Sequence, residues 1–302
     1  MIYYIKKRIV GFLIFLLGTL SLQAQTLFSP DGGMDRYQKT QRKVLDSAKI
    51  DVFYQLKYLE DSTKIHNYTE AQTVLKLSDS YALYTEYYQI ALDSINDLCA
   101  ESKKNARKYR TDWEEACKKC CLVMDFRSAI DFEKKLVTVQ RRAIRNYQYE
   151  QPIPDFKWKL ECGDTLIQNK PCKKASCTYA GRSYVAWYTE SINLPYGPYL
   201  FGGLPGLIMY LHDTKHNWIF FCNGIEKATK LRTMYLYNDK GIIRTTREKA
   251  LTACKNEEEN FMGAQQQKSV EWKTLSKDIS NSEHKKWHVL YTSDLCSECF
   301  HL

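Results

Sequence analysis

Cysteine is the residue type with the most evident chemical potential in this sequence. The chain has 302 residues and 11 cysteines, an odd number that leaves at least one of them without an intramolecular disulfide partner. Two groups have the spacing of soft metal ligands, one on a predicted helix and one near the C-terminus: Cys117, Cys120, Cys121 and Cys296, Cys299, His301. Together they could form a split zinc or copper site, and simple disulfide stapling is the alternative.

Other constellations that carry known chemistry are absent from the sequence. It contains no GxSxG, HExxH, Rossmann glycine or kinase motif. His212 and His216 are four residues apart, a spacing that favours a shared metal only on a helix, and here they flank a predicted hairpin turn. We therefore predict no catalytic residues and no cofactor.

The N-terminus has the three-part pattern of a secretory signal peptide. Lys6, Lys7 and Arg8 precede an apolar run at 9–20, and the small residue Ala24 precedes the expected cleavage site. No later stretch approaches 18 apolar residues, so we expect no transmembrane segment in the mature chain. The predicted destination is the periplasm, the outer membrane or the exterior. An oxidising compartment of this kind favours disulfides over a metal site.

The net charge argues against nucleic acid as a partner. The full chain carries +9, and removal of the signal peptide would lower this to +6. Basic runs such as 103–108 have no accompanying helix-turn-helix, zinc-finger or aromatic RNA-binding pattern. We interpret these runs as solvated surfaces.

Hydrophobic periodicity predicts strands around a helical insertion. Residues 51–59 and 183–189 alternate as half-buried strands do, and 73–77 is a further strand. Residues 207–212 and 218–223 form a predicted hairpin. From Tyr88 onward the period becomes helical, which places a helical insertion at about 84–125, and a C-terminal helix follows Arg244.

These elements predict an α+β protein. Its centre would be a mainly antiparallel, curved β-sheet with the helices packed on one side. We expect a signal peptide at 1–24, a single domain at 25–275 and an irregular, cysteine-containing tail at 276–302.

One stretch of the chain, 172–208, carries the string Gly203-Leu204-Pro205-Gly206-Leu207-Ile208. Upstream of it stand Arg182, Trp187 within Ala-Trp-Tyr-Thr, and the pair Gly197-Pro198. With these residues the stretch resembles the GLPGLI family, which takes its name from the string and consists of exported bacterial proteins of the Porph_ging type whose function is unknown. The motif core covers 157–223. The resemblance implies an envelope protein and assigns no catalytic residue.

The motif also has a structural interpretation. Pro205 and Gly206 suit the second and third positions of a type II turn, with Gly206 at positive φ. Trp187 is expected to be buried on the sheet with Val185. Arg182 could pair with a carboxylate or hold a ligand.

Three functions remain open at this point. The first is a non-catalytic binding or accessory protein whose sheet face meets a ligand or an outer-membrane or other envelope protein. The second is a metal- or thiol-handling periplasmic protein that uses the cysteine groups. The third is an enzyme of unfamiliar type, such as a hydrolase without a known motif.

Overall fold

The protein is built mostly of β-strands. A computed structural model describes residues 39–59, 67–101, 126–257 and 260. Of these residues, 58% lie in strands and 14% in helices. The predicted signal peptide, the C-terminal tail and both candidate metal-ligand groups lie outside the described residues.

The described chain contains two helices and twelve strands. Helix α1 spans Tyr87–Glu101 and helix α2 spans 247–257. The strands are β1 (Arg42–Tyr58), β2 (Thr69–Leu77), β3 (Tyr81–Glu86), β4 (Phe126–Asp131), β5 (Leu136–Arg142), β6 (Asn146–Pro152), β7 (Lys159–Ile167), β8 (Lys170–Tyr179), β9 (Arg182–Thr189), β10 (Leu207–Asp213), β11 (Trp218–Tyr237) and β12 (Ile243–Arg244).

All twelve strands form one sheet, in the order β12-β6-β5-β4-β3-β2-β1-β11-β10-β9-β8-β7. Neighbouring strands are antiparallel, except for the short parallel pair β12 and β6. The centre is the pair of long strands β1 and β11, which are paired from Arg42 to Tyr58 with three register shifts. Such irregularities bend strands and increase their twist.

The two faces of the sheet carry different side chains. One face, here the Tyr54 face, holds the main core, which includes Tyr54, Leu75, Tyr84 and Val139. Helix α2 packs on this face through Ala250 and Cys254. The opposite face, here the Arg127 face, carries a smaller apolar cluster around Leu83, Ala129 and Met234. Helix α1 lies on that face, where its Asp93 contacts Arg127.

The α+β expectation is therefore wrong: the protein is a mostly β protein with two short helices. The central strands explain the error, because β3 and β4 are buried on both faces. A strand covered on both sides does not alternate between apolar and polar residues, so its sequence lacks the period-2 pattern. Neither strand is predicted for this reason, and the predicted helical insertion at about 84–125 wrongly takes in the end of β3.

Several predicted elements are present. β1, β2 and β9 correspond to the predicted strands at 51–59, 73–77 and 183–189, and β10 and β11 form the expected hairpin, although β11 continues to Tyr237. Helix α1 is described as far as Glu101, and the rest of the predicted helical insertion, 102–125, lies outside the described residues. Within the described part of the chain, no helix is long and apolar enough to cross a membrane.

Candidate functional site

Residues 190–206, here the motif loop, connect β9 to β10 and pack on the Tyr54 face. Leu204, Leu207 and Ile208 are at most 2% exposed. The Tyr54 hydroxyl, itself fully buried, donates a hydrogen bond of 2.9 Å to the carbonyl of Ile208. The apolar residues of the family motif therefore anchor the loop to the sheet and are not available to a ligand.

Gly206 is required by a close backbone approach, and the type II turn expectation is wrong. Its N–H donates to the Leu204 carbonyl at 2.8 Å, which closes a three-residue turn around Pro205. Its φ is 157°, far from the value of about +80° at the third position of a type II turn. A Cβ at Gly206 would lie 2.0 Å from the carbonyl oxygen of Thr189. The motif glycine lets the loop return directly against the end of β9.

Two further glycines bring the motif loop back on itself. A Cβ at Gly197 would lie 2.7 Å from the side chain of Ile208. One at Gly202 would lie 2.9 Å from the carbonyl of Pro195, which also accepts the N–H of Gly203 at 2.9 Å. Pro198, the other half of the Gly-Pro pair, is buried. The loop is thus a tightly folded unit.

Tyr199 holds a strained position within the motif loop. Its φ is +60°, in the left-handed region that a bulky residue adopts rarely. Its ring packs against Phe126 at a centroid distance of 5.2 Å, and burial raises the pKa of its phenol well above the usual value. Strain of this kind persists only where the surrounding structure over-determines the backbone.

An aromatic groove runs between the motif loop and residues 153–158, which follow β6 outside the sheet. Its volume is about 370 Å³. Phe132 and Tyr196 stack at 5.2 Å with an interplanar angle of 18°, and Phe156 and Phe201 stack at 4.7 Å. The groove is lined by Ile130, Phe132, Ile153–Trp158, Pro195–Tyr196 and Leu200–Gly203. Its surface is therefore mainly apolar and aromatic.

One hydrogen bond joins the two walls of the groove. The Trp158 indole N–H donates to the carbonyl of Gly202 at 2.8 Å. At the rim, Lys157 and Asp155 are exposed and form an ion pair. Burial raises the pKa of the Tyr196 phenol, which keeps it neutral. These groups give the groove no net charge with which to attract an ionic ligand.

Arg182 pairs with a carboxylate, which was one of its two expected roles. Its guanidinium lies 3.2 Å from Asp213, which is 2% exposed and ends β10. The same carboxylate accepts the backbone N–H of Trp218 at 2.9 Å. Asp213 and Arg182 thereby brace the turn between β10 and β11.

Trp187 is half-buried, so the expectation of full burial is wrong. It lies on the Arg127 face with Val185, while Tyr184, Ala186 and Tyr188 face the core. A Cβ at Gly163 of β7 would lie 3.5 Å from the Trp187 ring. The half-buried indole packs against the main core as well as against the neighbouring strands.

Five cysteines have described side chains, and no disulfide joins any two of them. Cys162 is exposed, and Cys172, Cys177, Cys222 and Cys254 are buried. Burial raises the pKa of Cys222 to about 11 and that of Cys177 to about 12, which makes both thiols unreactive. The predicted disulfides are therefore not found among these five residues.

The metal hypothesis depends on residues beyond the described ranges, where Cys117, Cys120, Cys121, Cys296, Cys299 and His301 lie. Among the described residues, no three His, Cys, Asp or Glu side chains come together as a metal site would require. His212 and His216 do meet, with their rings stacked at 4.3 Å. Burial lowers the pKa of His212.

The groove residues Phe132, Phe156, Trp158 and Tyr196 were not predicted from the sequence. For Phe156 and Trp158, the available signal is an aromatic pair directly after Pro152 and Pro154. However, Phe132 and Tyr196 are 64 residues apart in the chain. Their contact depends on the path of the motif loop across the sheet, which no local pattern reveals.

Comparison with known proteins supports the family resemblance. Residues 134–210 match the family model described as "Protein of unknown function (Porph_ging)". This match confirms the resemblance to the GLPGLI family, and its range contains the motif loop and the 153–158 wall of the groove. No curated protein matches the sequence.

Two solved structures show a distant likeness to this chain. They are structures of PNGF-II in space groups P21 and C2, with TM-scores of 0.44 and 0.43 and 12% sequence identity. They cover 70% and 69% of this chain, which in turn covers 34% and 32% of theirs. A likeness this weak supports no conclusion about function.

Proposed function

Because the chain carries the Porph_ging segment, we propose that it is an exported, non-catalytic binding or accessory protein of the cell envelope. Its site is the aromatic groove beside the motif loop. Its partner is an outer-membrane or other envelope protein, which inserts the apolar side chains of an extended segment into the groove.

The observation that carries this proposal is the aromatic lining of the groove. Four rings from three separate parts of the chain, Phe132, Phe156, Trp158 and Tyr196, converge on about 370 Å³. Aromatic side chains supply large contact areas with little loss of conformational entropy, and they dominate binding energies at interfaces. An apolar space of this size accepts one or two large side chains.

The polar surroundings favour a protein segment over a charged small molecule. The ion pair of Asp155 and Lys157 leaves the rim without net charge. Ile153 is 37% exposed at the groove, which adds accessible apolar surface. An extended segment rich in proline, leucine or aromatic residues matches these features.

The strained, closely packed motif loop suits this role because it holds one wall of the groove rigid. Gly202 and Gly206 allow close approaches to backbone carbonyls that a Cβ would obstruct, and Gly197 allows a close approach to the side chain of Ile208. Preorganised walls reduce the entropy lost on binding. The family motif would then be required for the shape of the site, without touching the partner through its own leucines.

Peptide selection on the purified protein tests the proposal. We expect a phage-displayed library to yield peptides enriched in proline and large apolar residues, and these should shift the Trp158 indole signal in NMR spectra. Tyr196→Ala should abolish binding, whereas Trp187→Ala, on the opposite face of the sheet, should retain it. If the Tyr196→Ala variant, used as the bait, selects the same peptides, the proposal is contradicted.

Export has a separate test. The basic residues Lys6–Arg8 and the apolar run at 9–20 motivate cleavage near Ala24. The intact mass of the protein from the envelope fraction of its host should lack the first 24 residues. Recovery of the full-length chain from the cytoplasm would contradict export.

A further inference from the structure

A second cavity, here the polar cleft, lies at the end of the sheet beside helix α1. Its volume is about 310 Å³. It is lined by residues of α1, β4, β5 and the end of β11, which include Gln89, Asp93, Arg127, Arg141, Arg142 and Tyr237. It shares no lining residue with the aromatic groove.

Arg127 forms the buried floor of the polar cleft. Its side chain is 2% exposed and lies between the rings of Tyr235 and Tyr237, at 4.4 and 4.3 Å from their centroids. Its terminal nitrogens lie 3.2 Å from the Asp93 carboxylate and donate to the Tyr235 carbonyl and the Tyr237 hydroxyl, both at 3.1 Å. These contacts fix the guanidinium in one orientation.

Two buried atoms of the cleft residues have no hydrogen-bond partner among the residues that the structure describes. They are the donor Nε of Arg127 and the acceptor Oε1 of Gln89. The Gln89 amide nitrogen is already used, because it donates to Asp93 at 3.1 Å. A buried polar group without a partner is costly, so such a pair indicates that another molecule supplies the missing bonds.

The charged residues of the cleft favour an anion. Lys39, Arg127, Arg141 and Arg142 line it, against the two carboxylates Asp93 and Asp239. Lys39 is paired with Glu101, so these seven groups together carry a net formal charge of +1. Asp93 accepts from Arg127, Gln89 and the hydroxyls of Tyr235 and Tyr237. The pair of Arg127 and Asp93 contributes no net charge, so the positive charge of the rim comes from Arg141 and Arg142.

We propose that the polar cleft binds a small hydroxylated anion, a molecule with an acidic group and at least one hydroxyl. An oxygen of the acidic group accepts from Arg127 Nε, and the basic rim stabilises its charge. The hydroxyl donates to Gln89 Oε1. A volume of about 310 Å³ suits a ligand no larger than a hydroxy-acid or a monosaccharide derivative.

Calorimetry on the purified full-length protein at low ionic strength tests this site. The probes are citrate and glucuronate as hydroxylated carboxylates, glucose 6-phosphate as a hydroxylated phosphate, and tricarballylate as a carboxylate without a hydroxyl. We expect saturable binding of a hydroxylated carboxylate or of the hydroxylated phosphate. The probe that binds shows whether the acidic group of the ligand is a carboxylate or a phosphate. Saturable binding should weaken as salt is added.

Two variants separate the two halves of the site. Gln89→Leu should weaken the hydroxylated probe about tenfold and leave tricarballylate unchanged, because it removes only the hydroxyl acceptor. Arg142→Gln should weaken every anion and reduce the salt dependence, whereas Lys215→Gln, an exposed cation in the β10–β11 turn, should change neither.

The proposal is overturned if none of the four anions binds saturably. It is also overturned if Gln89→Leu and Arg142→Gln bind the anions as the unmodified protein does. Tyr196→Ala, which targets the aromatic groove, should leave anion binding intact, so the two proposals fail independently.

Discussion

The aromatic groove and the polar cleft differ in how their residues are distributed along the chain. The groove is formed within 130–203, and both of its walls lie inside the segment that matches the family model. The polar cleft combines residues from 39 to 242, with Arg127 buried beneath α1. A short motif can therefore specify an apolar site through backbone packing, whereas a buried ionic site requires residues that meet only in the folded sheet.

The largest expected loss of stability follows removal of the cleft's central cation. Arg127→Met leaves the buried Asp93 carboxylate without its ion-pair partner, which typically costs about 3–5 kcal/mol. The free energy of unfolding from urea titration measures this loss. The double variant Arg127→Met with Asp93→Asn should be more stable than the single variant, since it carries no unpaired charge. Equal stabilities of the single and double variants would show that the buried Asp93 carboxylate does not need the charge of Arg127.

On the groove side, Gly206→Val should cost about 3 kcal/mol or more, because its Cβ would collide with the Thr189 carbonyl. The matched control is Gly203→Ala, three residues earlier in the same motif. Gly203 has φ +86°, but a Cβ added there would meet no atom within 4 Å, so only the backbone cost of about 1 kcal/mol applies. Thermal unfolding of both variants gives the comparison. Similar losses would mean that steric contact at Gly206 is unimportant.

A smaller effect is expected from the hydrogen bond across the groove. Trp158→Phe keeps an aromatic ring but removes the donor to the Gly202 carbonyl, which should cost about 1 kcal/mol. Hydrogen exchange should increase in the motif loop and remain unchanged in α1. Faster exchange in α1 instead would mean that the two regions are coupled.

Acidification perturbs the protein through Glu257 of α2. This α2 carboxylate accepts from the Tyr147 hydroxyl, from two backbone N–H groups and from Arg145. These bonds, led by that from Tyr147, lower its pKa from about 4.5 to about 2. The unfolded chain takes up a proton first as pH falls, so the contribution of Glu257 to stability is present above about pH 4.5 and is lost toward pH 2.

The pH dependence of thermal unfolding checks this contribution. Glu257→Gln should lower the midpoint at neutral pH and flatten its decline in the acidic range. An unchanged decline in this variant would assign the acid sensitivity to other carboxylates.

β1, β9 and the β10–β11 hairpin can be predicted from the sequence because one face of each strand is more deeply buried than the other. Residues 52, 54 and 56 are apolar and share one face, while the other face carries the polar residues 51, 55 and 57 beside Phe53, and this pattern marks a half-buried strand. β3 and β4 could not be found in this way, because helix α1 covers the face that would otherwise carry polar residues.

The two sites were less predictable than the strands. The family motif drew attention to the correct loop, but its leucines proved to be buried anchors. Trp158 and Tyr196 line the same groove only because the motif loop folds back across the sheet. Arg127 gives no local signal at all, since an arginine in a short polar segment usually indicates an exposed position.

Site-specific photo-crosslinking in the native envelope tests the central claim, that the aromatic groove is the partner-binding surface. A photoreactive phenylalanine analogue would replace either Ile153 in the groove or Leu166 on β7, which is 72% exposed and serves as an accessible control. We expect a discrete crosslinked partner at 153 that disappears when Tyr196→Ala is added, and none at 166. A partner captured equally at both positions, or none at 153, would contradict the account.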